Sequence, residues 1–190
     1  LRDRPAWQHA PVDVKAHFAG SPPVIPQTPE EIYQEFTRYI LPYQIGNNHP
    51  RFWGWVAGTG TVMGMFAELI SAATDAVSGS FSYLSNNYVE MQVLDWCKTM
   101  LGYPAIASGL ITSGCSASNL IGLAVARNAK AQFDLRSKGM RAAPQLMTLY
   151  CSEEAHSSIQ KAVELLGFGS RALRRVPVNE SMQIDLESLK

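Results

Sequence analysis

The stretch "GLITSGCSASNLIGLAVAR", residues 109–127, contains the three patterns that decide the expected fold. It opens with the apolar run 109–112, which predicts a short buried strand. The turn "TSGCSAS" (112–118) follows, and the apolar spacing of residues 117–131 predicts a helix. A strand that passes through a tight turn into a helix is half of a parallel βαβ unit.

The same alternation continues along the chain. "QLMTLYC" (145–151) predicts a second strand, and residues 157–166 predict a helix that ends at Gly167. A third strand is expected at 171–178. Alternating strands and helices are typical of a parallel sheet with helices packed on it. The expected class is therefore α/β, with a mostly parallel sheet flanked by helices.

The N-terminal part is organised differently. Residues 1–28 are rich in proline and predict an extended arm that wraps over another surface. Thr28, Pro29 and Glu31 then form a helix start signal, in which the threonine caps and the glutamate reaches back as in a capping box. Apolar residues at a spacing of four predict a short amphipathic helix over residues 29–40.

Two longer helices are expected in the middle of the chain. Apolar spacing predicts them at 62–78 and 87–101, and Gly102 supplies the left-handed stop of the second. We expect residues 1–78 to hold the arm, helices and an aromatic loop. Residues 79–190 are expected to form the first part of a larger α/β domain.

Composition excludes several classes of function. The 190 residues include 16 basic and 16 acidic side chains, so no concentrated basic face for nucleic acid is expected. No apolar run approaches the roughly 20 residues of a membrane span. Four histidines without helical ligand spacing argue against a metal site. The cysteines are few and widely spaced, which indicates reduced thiols and a cytoplasmic location. They are Cys97, Cys115 and Cys151.

The turn 112–118 carries more hydroxyl groups than a turn requires. A helix N-terminus at a strand end offers free N–H groups and a partial positive charge, which favour a phosphate. Gly114 would allow close approach of the backbone, and Ser113, Ser116 or Ser118 could donate hydroxyl hydrogen bonds. The alternative is that Ser116 or Ser118 only caps the helix and Gly114 only turns the chain. The turn matches neither the Walker A pattern nor G-x-G-x-x-G.

A second candidate is "YCSEEAHSS", residues 150–158. A strand is expected to end near Cys151, and Ser157 with Gln160 resembles a capping box that opens the next helix. His156 would then lie on a loop at the same sheet edge as the glycine turn. It could be a surface or capping residue, or its flat ring could lie against an aromatic cofactor.

Four segments together resemble a known family. "NNHPRFWGW", "GLITSGCSASNLIGLAVAR", "CSEEAHSSIQKAVELLGFG" and "RRVPVNESMQIDLESL" are similar, in order and spacing, to the amino-terminal half of the group II pyridoxal-phosphate-dependent amino-acid decarboxylases. That family includes the aromatic amino-acid and glutamate decarboxylases. The resemblance covers roughly residues 29–190. It implies the fold-type I architecture, pyridoxal 5′-phosphate as cofactor, and decarboxylation of an L-amino acid to an amine and CO₂.

The resemblance also implies roles for individual residues. The family's phosphate-binding turn falls on Gly114, Cys115 and Ser116. The histidine that stacks on the cofactor ring and assists proton transfer falls on His156. Many members have a second glycine where this chain has Cys115, although a backbone N–H donor survives that change.

The family's substrate pocket is lined by the aromatic loop after "HPRF". By the same resemblance, Trp53, Trp55, Val56 and Thr59 are expected to contact the substrate side chain. The two tryptophans favour an aromatic substrate. Some members have Ser or Thr near Gly58, where this chain has Thr59 one place later, and this departure concerns a contact to the substrate carboxylate.

The resemblance implies that partners are needed. The family's Schiff-base lysine follows a histidine, and no lysine here does so. The lysines are Lys15, Lys98, Lys130, Lys138, Lys161 and Lys190. We therefore expect an N-terminal fragment or one piece of a split enzyme, with the lysine on a C-terminal piece, and a homodimer.

Three alternatives remain open at this point. The first is another fold-type I reaction, such as transamination, oxidative deamination or carbon–carbon lyase chemistry. The second is a non-catalytic subunit that lacks the lysine. The third is a phosphate-binding domain of unrelated chemistry.

Overall fold

The structure, a computed structural model, describes residues 3–75 and 84–189. The chain divides into two compact units, Leu1–Val77 and Ser78–Lys190. Within the two described ranges, no helix has the length and apolar character needed to cross a membrane.

The described residues of the N-terminal unit contain three α-helices. They are α1 (Val12–His17), α2 (Pro29–Glu35) and α3 (Val62–Thr74). The expectation of an extended arm over 1–28 is wrong in part, because α1 forms within it. Val14 of that helix is only 4% exposed, so burial of this side chain holds α1 in place.

The start of α2 confirms the predicted capping box. Thr28 Oγ1 accepts a hydrogen bond from Glu31 N at 3.3 Å, and the Glu31 carboxylate accepts one from Thr28 N at 2.7 Å. Hydrogen bonds from the Thr28 backbone and hydroxyl lower the pKa of Glu31. The predicted helix 29–40 continues beyond α2 with wider π-helical geometry over Phe36–Ile40.

The C-terminal unit carries the α/β pattern. Its helices are α4 (Ser85–Leu101), α5 (Cys115–Lys130), α6 (Leu135–Lys138), α7 (Ser157–Leu165) and α8 (Leu186–Leu189), and its strands are β1 (Leu149–Ser152) and β2 (Leu173–Val176). The predicted stops are confirmed, because Gly102 (φ 65°) and Gly167 (φ 82°) adopt the left-handed conformation after α4 and α7. Residues 76–78, within the predicted helix 62–78, lie outside the described residues.

The two strands form a parallel βαβ unit, as predicted. β1 pairs with β2 in parallel, with Leu149 opposite Leu173 and Ser152 opposite Val176. Helix α7 forms the connection between them. Both strands are shorter than the predicted ranges 145–151 and 171–178.

The predicted strand at 109–112 is wrong. A strand requires a neighbour for its backbone groups, and in the described part of the chain β1 and β2 pair only with each other. The Ile111 N–H instead donates to the Glu90 carboxylate at 2.8 Å. This segment has no regular secondary structure and connects α4 to α5.

Helices α5 and α7 pack side by side in the same direction. Asn119 Nδ2 donates to Ser158 Oγ at 2.9 Å, and Arg127 Nη1 donates to the Leu166 carbonyl at 2.8 Å. The two bonds lie roughly 12 Å apart along each helix at 1.5 Å per residue, which requires a parallel arrangement in register. Among the described residues of this unit, the buried apolar side chains are Ala162, Val163 and Val176.

Candidate functional site

The glycine turn is held by its own hydroxyl groups. Thr112 Oγ1 and Ser118 Oγ lie 2.6 Å apart and hydrogen-bond to each other, and they lie 3.1 and 3.4 Å from the Gly114 carbonyl oxygen, which accepts from the hydroxyl whose proton is left over. Gly114 is the N-cap residue of α5, and no side chain caps this helix. The interpretation of Ser116 or Ser118 as a simple helix cap is therefore wrong.

The first turn of α5 is left open to a ligand. In the described part of the chain, the N–H groups of Cys115 and Ser116 and the Ser116 hydroxyl have no acceptor or donor partner. A Cβ built on Gly114 would meet no atom within 4 Å, so the backbone can be approached closely. Free helix N–H groups, the helix dipole and an unpaired hydroxyl are suited to a phosphate dianion. These residues fit the phosphate of the expected cofactor.

His156 is the N-cap residue of α7, four residues after the end of β1. Its Nδ1 accepts the Ser158 N–H at 3.2 Å, and the ring is exposed. The predicted capping box of Ser157 with Gln160 is wrong. Gln160 donates instead to the Glu164 carboxylate at 2.9 Å, so the imidazole takes the capping role that was expected of a serine.

A buried serine connects the two candidate segments. Ser158 is 3% exposed and receives the Asn119 side-chain amide, while its Oγ lies 2.9 Å from His156 Nδ1. The same amide nitrogen of Asn119 lies 3.6 Å from Cys115 Sγ. The chain of contacts therefore runs from the first residue of α5 to the imidazole.

Asn119 and Ser158 had no role in the expectations from sequence. The available signal was a polar residue inside the apolar helix pattern "SNLIGLAVA", and a second serine directly after "AHS". Periodicity alone could not show that these two side chains face each other, because they are far apart in the sequence.

The aromatic loop belongs to the N-terminal unit. Trp53 is 92% and Trp55 80% exposed, and Val56 and Thr59 are also exposed. Trp55 has a positive φ of 55°, and its ring meets Phe52 edge-on with 6.5 Å between centroids. The loop thus presents large apolar side chains that its own unit does not bury.

Of the lysines, Lys98 is engaged at the end of α4. Its Nζ donates to the carbonyls of Ala105 and Ala107 at 3.1 and 2.9 Å, and it pairs with Asp95 at 2.7 Å. These three contacts occupy the Lys98 amino group, so it is not free to approach a cofactor.

Comparison with known proteins identifies the family. The model of the pyridoxal-dependent decarboxylase conserved domain matches residues 11–190. The chain belongs to this family, as its resemblance predicted.

Two sequence relatives and one crystal structure are similar to this chain. The chain is 26% identical to the aromatic-L-amino-acid decarboxylase of Bacillus atrophaeus, covering all of this chain and 38% of that protein. It is 30% identical to the L-2,4-diaminobutyrate decarboxylase of Acinetobacter baumannii, covering 85% of this chain and 34% of that protein. A crystal structure of Oryza sativa TDC with PLP and tryptamine superposes with a TM-score of 0.83 at 23% identity, covering 99% of this chain and 40% of that one. The chain thus has the fold-type I architecture and spans about two fifths of the length of these relatives.

Proposed function

We propose that this protein decarboxylates an L-amino acid to an amine and CO₂, with pyridoxal 5′-phosphate as cofactor. The observation that carries the proposal is the uncapped N-terminus of α5, joined to His156 through the hydrogen bond between Asn119 and Ser158. It supports a phosphate-binding turn and an exposed imidazole on two helices that are fixed in register.

Different residues would bind the cofactor and exchange the proton. The backbone N–H groups at Gly114, Cys115 and Ser116 and the Ser116 hydroxyl would hold the phosphate. His156 would lie against the cofactor ring and exchange a proton with the substrate. When bound, pyridoxal phosphate supplies an electron sink for the cleavage of the bond between the α-carbon and the carboxylate. Residues 79–190 would form the first part of the cofactor-binding domain, and residues 1–78 the arm and substrate loop.

An aromatic substrate is proposed on the basis of the exposed loop. Trp53, Trp55 and Val56 offer apolar surface, and Thr59 offers a hydroxyl group. Apolar and aromatic side chains are the common lining of ligand pockets. The relative from Bacillus atrophaeus, an aromatic-L-amino-acid decarboxylase, supports the same assignment.

The proposed assembly is a cytoplasmic homodimer in which a lysine outside residues 1–190 binds the cofactor. The free cysteines support a reducing compartment. Apolar side chains of α3 support a subunit contact, since Phe66, Leu69 and Ile70 are all more than half exposed. Light scattering of the intact protein should give a dimer, and an active monomer would contradict this assembly.

The test of the reaction uses the intact protein with pyridoxal phosphate and a panel of carboxyl-labelled L-amino acids. The panel contains tryptophan, tyrosine, phenylalanine, 2,4-diaminobutyrate and glutamate. We expect labelled CO₂ and the amine in equal amounts, with the highest kcat/KM for an aromatic substrate. An aldehyde product would indicate oxidative deamination instead, and absence of CO₂ from every substrate would overturn the proposal.

Two further measurements address the loop and the lysine. Trp53→Leu should lower kcat/KM for the aromatic substrate, whereas Trp7→Leu, a change of the same size outside the loop, should not. Borohydride reduction followed by mass spectrometry should label one lysine, and none of those in residues 1–190. Absence of any label would favour the non-catalytic subunit.

A further inference from the structure

Two hydrogen-bonding groups of Ser158 meet at Nδ1 of His156. The Ser158 N–H lies 3.2 Å from Nδ1, and Ser158 Oγ lies 2.9 Å from it. A backbone N–H can only donate, so it favours the form in which Nδ1 offers its lone pair, and the closer hydroxyl reinforces that form when it too donates. A neutral imidazole carries one ring proton, which therefore lies on Nε2.

Asn119 determines which way the Ser158 hydroxyl points. A side-chain NH₂ group can only donate, so Ser158 Oγ accepts the bond from Asn119 Nδ2 at 2.9 Å. The hydroxyl proton is then available for His156 Nδ1. Because Ser158 is 3% exposed, bulk water cannot easily replace these partners.

The opposite end of the ring is free. In the described residues Nε2 of His156 has no hydrogen-bond partner, and the ring is exposed. We propose that Asn119 and Ser158 are positioning residues that fix His156 as the Nε2–H tautomer and so make Nε2 the ring atom that exchanges the proton. The tautomer follows from the contacts alone, whereas its effect on turnover rests on the proposed function.

The direct test is nitrogen NMR of the intact protein labelled with [¹⁵N]histidine, without cofactor. At alkaline pH a histidine ring is neutral, and two-bond ¹H–¹⁵N correlations distinguish the two tautomers. The His156 signals are identified by their loss in His156→Asn. We expect a protonated Nε2 and an unprotonated Nδ1. A protonated Nδ1 in the wild-type protein would overturn the proposal without any variant.

Matched variants test the two positioning residues. Asn119→Asp replaces the donor by a carboxylate, which can only accept, so the Ser158 hydroxyl must turn away from the imidazole. Asn128→Asp is the control, since it makes the same change at an exposed position of α5. Ser158→Ala removes the hydroxyl itself, with Ser157→Ala as its exposed neighbour and control.

Both test variants keep the Ser158 N–H at Nδ1 and lose only the hydroxyl donor, so the preference for the Nε2–H tautomer should weaken and a minor Nδ1–H form should appear, whereas both controls should keep the wild-type signals. Loss of one neutral hydrogen bond should lower kcat about threefold to tenfold, with KM and cofactor content nearly unchanged. A purely structural role would lower cofactor content and leave the tautomer as it is, which would overturn the proposal. A variant that fails to fold leaves the wild-type NMR result to decide.

The two proposals fail in different ways. If the wild-type protein shows the Nε2–H tautomer but releases no CO₂ from any amino acid, the proposed function is wrong and the positioning role stands. If CO₂ is released but Nδ1 carries the proton, the positioning role is wrong and the function stands.

Discussion

Ser116→Ala tests whether the turn before α5 binds a phosphate. The Ser116 hydroxyl has no partner in the described structure, so its removal breaks no internal hydrogen bond. It would remove one bond to a charged ligand, worth about 1.5–3 kcal/mol. At about 1.4 kcal/mol per tenfold, the dissociation constant should rise roughly 10- to 100-fold.

The assay is a fluorescence titration of the intact apoprotein with pyridoxal phosphate and, separately, with pyridoxal. Pyridoxal lacks the phosphate, so Ser116→Ala should leave its affinity nearly unchanged. Ser118→Ala is the comparison variant, because its hydroxyl is already bonded to Thr112 and Gly114. Loss of these internal hydrogen bonds should change the affinities for pyridoxal phosphate and for pyridoxal by the same factor. An equal loss for both ligands in Ser116→Ala, or no loss for either, would refute the phosphate assignment.

Three further predictions concern the ring, the core and the capping box. His156→Asn keeps an N-cap acceptor but removes the ring, so kcat should fall about 10²–10⁴-fold while the cofactor is retained. A kcat within threefold of the wild-type value would contradict the proposed role of His156 in proton exchange. Val163→Ala removes two methyl groups from a side chain that is 0% exposed, and hydrogen exchange of α7 should show a loss of about 2–3 kcal/mol. Val125→Ala, at an exposed position, should lower the stability only slightly. Equal losses of stability in the two variants would contradict the reasoning. Because Thr28 lowers the pKa of Glu31, the stabilisation of α2 by this capping box is fully present above the unfolded-state pKa of about 4.3. It is lost as the pH falls through the lower pKa of the folded state. An NMR titration of the Thr28 amide checks this, with Glu31→Gln as the control. A titration midpoint at the ordinary glutamate pKa would contradict the reasoning.

Local patterns were sufficient for the elements that depend on neighbouring residues. The capping box at Thr28 and the glycine stops at Gly102 and Gly167 formed as predicted. These features involve residues within a few positions of each other, and their geometry follows from sterics and local hydrogen bonds. The four family segments were also visible in the sequence, and they identified the family.

Predictions that required knowledge of distant partners were less successful. The apolar run 109–112 has the composition of a strand, but a strand exists only where another strand accepts its backbone bonds. Ser157 and Gln160 have the spacing of a capping box. In the structure, however, the imidazole of His156 accepts the Ser158 N–H and caps the helix. Propensity cannot rank such competitors, because their positions depend on packing.

The sequence by itself determined the family, the parallel βαβ order and the candidate residues Gly114, Ser116 and His156, because these are encoded in short segments and their order. Only the tertiary structure decided that the hydroxyls of the turn bond to each other, which leaves the helix N-terminus open. Only it brought Asn119 to Ser158, and with that contact set the hydrogen bonding of His156. The physical reason is that a hydrogen bond between side chains of two helices requires their register, and register is set by packing rather than by local sequence.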